Sequence, residues 1–195
     1  MSQCYHAELK ESVTRIVKGA DSISYPIELT EILPAEEMKD LLKEQLQEAG
    51  WCVQNEEETV FIIEGTAGEI LTIDLDEMEM TAKIETEREV VSEVIAHASA
   101  ESRKQAERSA ARQLKEEMEV IGDQIEDAGT RDLQKEVTAQ LAESESARQR
   151  GVNELLQRVY AESLKRKAGQ LGDVMEITET TGEDGNYELT IRIEQ

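Results

Sequence analysis

Residues 114–141 read LKEEMEVIGDQIEDAGTRDLQKEVTAQL. Leu114, Met118, Ile121, Ile125 and Ala128 recur at steps of four and three, which lines them up on one face of a helix. Asp127-Ala128-Gly129-Thr130-Arg131-Asp132 then interrupts the stripe. Gly129 suits the left-handed residue that ends a helix, and Thr130 suits the cap of a following one. A second stripe runs Leu133, Val137 and Leu141, weakens through Ser144 and Arg148, and resumes at Val152, Leu155, Val159 and Leu164. Lys165, Arg166 and Lys167 suit a helix C-terminus and Gly169 its stop. The stretch therefore predicts two helices joined by a short turn: an antiparallel coiled coil over 93–169 with its tip at Gly129.

Folding the arms about Gly129 sets Ile125 against Leu133, Ile121 against Val137 and Met118 against Leu141. Near the base the match fails. Val152, Leu155, Leu156 and Val159 face Ala100, Arg103 and Ala106, which offer little apolar surface in return. Two readings follow. Arginine stems and the rest of the protein cover these four side chains, or they form an interaction surface for a partner or a second copy of the chain.

Outside the helices the sequence alternates. Tyr5, Ala7 and Leu9 share one face of a strand that continues to Val17; Lys18-Gly19-Ala20-Asp21 reads as a turn, and Ile23 to Leu29 as a second strand with Pro26 at an edge or bulge. Pro34, Glu36 and Glu37 open a helix whose buried stripe is Met38, Leu41, Leu42, Leu46 and Ala49; Gly50 ends it and Trp51 folds back on its last turn. Strands over 59–64 and 69–74 flank the turn Gly65-Thr66-Ala67-Gly68. Met78 to Thr86 alternates again, and the period becomes helical through Val90, Val94, Ile95 and Ala98, which starts the first arm between Glu87 and Glu93. Val174 to Thr180 and Tyr187 to Ile193 form a C-terminal hairpin about Gly182-Glu183-Asp184-Gly185, expected to rejoin the same sheet. The expected fold is α+β: an acidic body (1–92 plus 170–195) built on an antiparallel sheet with one covering helix, and the helical hairpin inserted before the C-terminal β-hairpin.

Charge narrows the function. The chain has 195 residues with 44 Asp/Glu and 21 Lys/Arg, a net of −23. Residues 101–168 hold 14 acids and 13 bases, so nearly all of the excess lies elsewhere. Such a chain repels phosphate backbones and anionic lipid, which argues against nucleic acid and membrane as partners and favours a protein with a basic surface. No apolar run approaches the roughly 20 residues that span a bilayer. Two lone cysteines and no visible secretory signal suit the cytoplasm.

Chemistry is sparse. Cys4, His6, Cys52 and His97 would make a tetrahedral zinc set, but their spacing matches no zinc motif. Glu56-Glu57-Glu58 and Asp74-Leu75-Asp76-Glu77 lack the spaced ligands of a calcium loop, and Gly65-Thr66-Ala67-Gly68 lacks the Gly-Lys-Ser/Thr ending of a phosphate loop. No catalytic, cofactor-binding or metal-binding residue is assigned, and no cofactor is expected.

Tyr25-Pro26-Ile27-Glu28-Leu29-Thr30-Glu31-Ile32-Leu33-Pro34-Ala35-Glu36-Glu37-Met38-Lys39-Asp40-Leu41-Leu42, running into Ala49-Gly50-Trp51, resembles the small accessory (X-domain) proteins of bacterial ternary systems. Those systems pair an FtsH-type AAA+ protease with a von Willebrand A protein and a MoxR-type ATPase. The resemblance covers roughly the first 90 residues, and it implies a non-enzymatic adaptor or scaffold with no catalytic residues to carry over. The alternatives are a small carboxylate-using or metal-dependent enzyme and a structural protein of an assembled particle.

Overall fold

A computed structural model of the chain describes residues 4–181 and 187–194. In chain order the elements are β1 (Tyr5–Pro26), α1 (Ala35–Glu48), β2 (Cys52–Val53), β3 (Val60–Glu64), β4 (Ile70–Asp74), β5 (Glu79–Ala100), α2 (Arg103–Leu171), β6 (Asp173–Thr181) and β7 (Tyr187–Glu194). The fold is α+β. An antiparallel sheet has the strand order β1-β5-β4-β3-β2, and β6 and β7 form a two-stranded sheet of their own. The chain divides into two compact units: Met1–Asp21 with Ile84–Gln140, and Ser22–Lys83 with Leu141–Gln195. β1, β5 and α2 each contribute to both.

The first unit is a two-stranded ribbon of β1 and β5 with the first half of α2 laid along one face. Val13, Val94, Ala96 and Leu114 form its core, with Leu9, Met118, Ile121 and Ile125 packed against it. The helical stripe read from the sequence is real, but its counterpart is a ribbon and not a second helix. Three expectations are corrected here. The chain does not turn at Gly129, because α2 is helical from Arg103 to Leu171. It does not turn at Lys18–Asp21, because β1 is one strand. Nor does a helix begin between Glu87 and Glu93, because β5 runs on to Ala100.

Both glycines mark close approach instead. A Cβ on Gly129 would lie 2.9 Å from Val17 Cγ1 and 3.3 Å from Val90 Cγ2; one on Gly19 would lie 2.9 Å from Leu133 Cγ and 3.1 Å from the Leu133 backbone. Glycine is what lets helix and ribbon meet at this distance. Polar groups tie the same contact: Arg88 Nη2 reaches Glu136 at 2.7 Å and Thr138 donates to Asp21 at 2.6 Å. The reading of Val90, Val94, Ile95 and Ala98 as helical fails because Val90, Val94 and Ala98 also satisfy a period of two, while Ile95 belongs to the opposite, exposed face of the strand. Val94 and Ala96 are buried while Val91 and Ile95 are exposed, which only a strand permits.

The second unit packs α1 and the second half of α2 around β2, β3, β4 and the adjoining stretches of β1 and β5. Antiparallel registers set Phe61 opposite Ile73 and Ile73 opposite Met80. These three join Ile27, Leu33, Met38, Leu41, Leu42, Leu46, Leu75, Leu155 and Val159 in one buried cluster. α1 ends as its sequence predicts. Gly50 has φ 85°, its N–H donates to the Gln47 carbonyl, and the Trp51 N–H donates to the Leu46 carbonyl, which closes a Schellman motif. The turn between β3 and β4 is also as expected, with Gly68 at φ 77°. The C-terminal hairpin pairs as expected, Ile177 opposite Ile191, with an irregularity between Val174 and Glu176. It does not rejoin the main sheet. Its expected turn at Gly182–Gly185 lies outside the described residues.

Candidate functional site

The four side chains expected to form an interaction surface lie inside the second unit. Val159 is fully buried and Leu155 is 6% exposed, both within the main cluster; Val152 and Leu156 are half-buried against it. Of the two sequence readings, cover by the rest of the protein is the one found. α1 and the sheet supply that cover. The Tyr160 hydroxyl fastens the neighbouring loop by donating to the Glu28 carbonyl at 3.2 Å and accepting from the Thr30 N–H at 3.1 Å.

Where the stripe weakens in sequence, the structure holds a buried ion pair that sequence reasoning missed. Arg148 and Glu69 have side chains 2% and 1% exposed, with Arg148 Nη1 3.8 Å from Glu69 Oε1. Arg148 also donates to Ser144 Oγ and, from Nη2, to the Leu141 carbonyl at 2.7 Å. Glu69 accepts from the Ala67 N–H at 2.8 Å. Gly65 makes room for this, because a Cβ there would lie 2.5 Å from Glu69 Cδ. The available signal was Ser144 and Arg148 occupying stripe positions that call for apolar residues. Beside the pair is a cavity of about 280 Å³, lined by Trp51, Ile63, Leu71, Met80, Val152 and Leu155 among others.

Cys4 and Cys52 are exposed free thiols. His6 Nδ1 lies 2.7 Å from Ser99 Oγ, and His97 Nδ1 lies 3.8 Å from Glu8 Oε2. Among the described residues no group of three or more His, Cys, Asp or Glu is placed to hold a metal ion. Among the described residues, too, no helix is long and apolar enough to cross a membrane.

Two surfaces of the second unit stand out. The C-terminal hairpin and the end of α2 expose Leu171, Val174, Met175, Ile177 and Ile193, with Met175 at 65%. A polar network holds the hairpin to α2: Lys165 Nζ lies 2.5 Å from Glu179 Oε1, and the Tyr187 hydroxyl donates to Glu179 at 3.0 Å. The hydrogen bond from Lys165, then that from Tyr187, holds the Glu179 carboxyl below its ordinary value. The hydrogen bond to Glu179 raises Lys165, while burial followed by that same carboxylate raises Tyr187. The second surface is the outer face of α1, which exposes Glu36, Glu37, Asp40, Glu44 and Glu48. The charge is unequal between units. The second holds 27 Asp/Glu against 10 Lys/Arg, a net of −17, and the first 17 against 11, a net of −6.

A family model described as FtsH ternary system domain X5 matches residues 1–195. The chain belongs to that family. The match takes in α2 and the C-terminal hairpin as well as the N-terminal segment that carries the sequence resemblance. No curated protein and no solved structure matches the chain. The family name makes the chain a component of a bacterial FtsH ternary system, and a ternary system implies protein partners.

Proposed function

We propose that the chain is a non-enzymatic, cytoplasmic adaptor of its ternary system that holds a basic protein partner on the C-terminal hairpin. The observation that carries this reading is the apolar surface of Leu171, Val174, Met175, Ile177 and Ile193 left in water. A two-stranded hairpin is marginal by itself, and a contiguous apolar surface on it favours an occupant. The occupant's chemistry follows from the surround. Asp173, Glu176, Glu188 and Glu194 lie on the opposite face of the same two strands, in a unit of net −17. A partner with an apolar centre and a Lys/Arg rim satisfies both terms, the rim steering association and the centre holding it.

The test uses the purified FtsH-type, von Willebrand A and MoxR-type proteins of the system. Each is passed over the immobilised chain at low salt and again at about 0.5 M, where screening shortens to a few ångströms. Capture of one of them that weakens with salt and is lost in Ile177→Glu/Ile193→Glu is the expected result. Equal capture by that variant, with its circular dichroism unchanged, overturns the reading.

A further inference from the structure

We propose that copies of this chain add edge to edge through the ribbon of the first unit, residues 6–19 of β1 in one copy pairing with residues 86–100 of β5 in the next. The inference is independent of the adaptor reading, which concerns the other unit. Among the described residues β1 has a single strand neighbour, β5. β5 in turn meets β4 only from Glu79 to Lys83, so beyond that point it pairs with β1 alone. The ribbon thus presents two long strand edges, each a row of outward-facing backbone donors and acceptors that templates a further strand. Neither stretch contains proline, the usual block to such pairing.

Charge selects the occupant and the pairing mode. On the ribbon face away from α2, β1 carries Glu8, Lys10 and Lys18 and β5 carries Glu87, Glu89 and Glu93. Within one chain these already meet as Lys10–Glu93 at 2.7 Å and Lys18–Glu87 at 3.7 Å. Pairing β1 with β5 of the next copy repeats the same cross-strand complement in trans. β5 against β5 would oppose glutamates, which destabilises a strand pair, and β1 against β1 would leave both acidic β5 edges without the lysines that complement them. The contact is therefore heterologous, and it grows into a ring or filament and does not stop at a dimer. The same face exposes Ile16 (60%), Val91 (57%) and Ile95 (43%), which continuous pairing gathers into a shared apolar row. Repulsion between copies is weakest here, because this unit carries −6 of the net −23.

Sedimentation velocity across a concentration series, near physiological salt, tests the inference together with amide hydrogen exchange. The expected result is growth past dimer, with slow exchange appearing at high concentration at alternate amides of 6–19 and 86–100. Lys10→Glu/Lys18→Glu lowers the association at least tenfold, and adding Glu87→Lys/Glu93→Lys restores it; circular dichroism confirms that each variant is folded. A chain that stays monomeric, a mass that stops at dimer, exchange in these stretches that ignores concentration, or association unchanged by Lys10→Glu/Lys18→Glu overturns it. The hairpin variant Ile177→Glu/Ile193→Glu leaves this assembly intact, which separates failure here from failure of the adaptor reading.

Discussion

Val159 decides between the two sequence readings of the Val152–Val159 stripe, and its substitution has a calculable cost. The side chain is fully buried in the cluster that includes Leu41, Leu42 and Phe61. Val159→Ala removes two methyl groups, about 1.6 kcal/mol at roughly 0.8 kcal/mol each. The void left behind, if roughly 40 Å³, adds about 1 kcal/mol at ~24 cal/mol per Å³. The total is about 2–3 kcal/mol. Leu155→Ala falls toward the lower end of the ~2–5 kcal/mol usual for such a change, because Leu155 already borders the 280 Å³ cavity and neighbours have room to relax. At roughly 2–4 °C per kcal/mol for a chain of this size, each variant lowers the thermal midpoint by about 4–12 °C. Val159→Glu places a carboxylate among hydrocarbon groups and unfolds the second unit outright. Thermal melts followed by circular dichroism, with urea titration as a check on cooperativity, measure all three. A Val159→Glu protein that melts like the wild type would place the stripe on the surface and refute the packing described here.

Glu69→Gln leaves the Arg148 guanidinium buried without a counter-charge and costs about 3–5 kcal/mol in urea unfolding; pairing it with Arg148→Met recovers most of the loss, and a double variant no better than the single one contradicts the coupling. The Lys165–Glu179 contact gives the hairpin a defined pH window. Glu179 titrates below its ordinary 4.5 in the folded chain, so its contribution is complete above that pH and is lost as the pH falls through the lowered value; Lys165, raised above 10.5, loses its share only as the pH rises through its own. The protection of β6 and β7 amides, taken as hydrogen exchange relative to each amide's intrinsic rate at the same pH, therefore falls below about pH 4.5, and Glu179→Gln removes that fall.

What sequence made legible was local. Gly50 and Trp51 close α1 because a left-handed residue and an apolar successor are encoded together, within six positions of the carbonyls they satisfy. The Gly65–Gly68 turn is legible for the same reason, as are the strands β3 and β4 that flank it. The apolar excess of Val152, Leu155, Leu156 and Val159 was also readable, but its cover comes from α1, more than 100 residues earlier, and nothing in the stripe specifies that. Arg148 and Glu69 lie 79 positions apart, and each alone looks like an ordinary surface charge in an acidic chain.

The misread helical hairpin turns on what glycine means. At Gly129 the residue sits beside Asp127, Thr130 and Asp132, all turn or cap formers, and at Gly19 beside Lys18 and Asp21. Local chemistry therefore favours a break at both places, by roughly 0.5–1 kcal/mol for a glycine inside a helix (Gly129) or a strand (Gly19). Tertiary contact reverses the preference. Gly129 receives Val17, and Gly19 receives Leu133, so each glycine is the hole for a knob two or four positions from the other glycine. The two sites are reciprocal, and neither can be read without the other. A lone glycine in a long amphipathic stretch stops a helix only when no packed surface requires its missing Cβ. Here the ribbon does require it, and so a segment with every local mark of a turn runs straight through as helix.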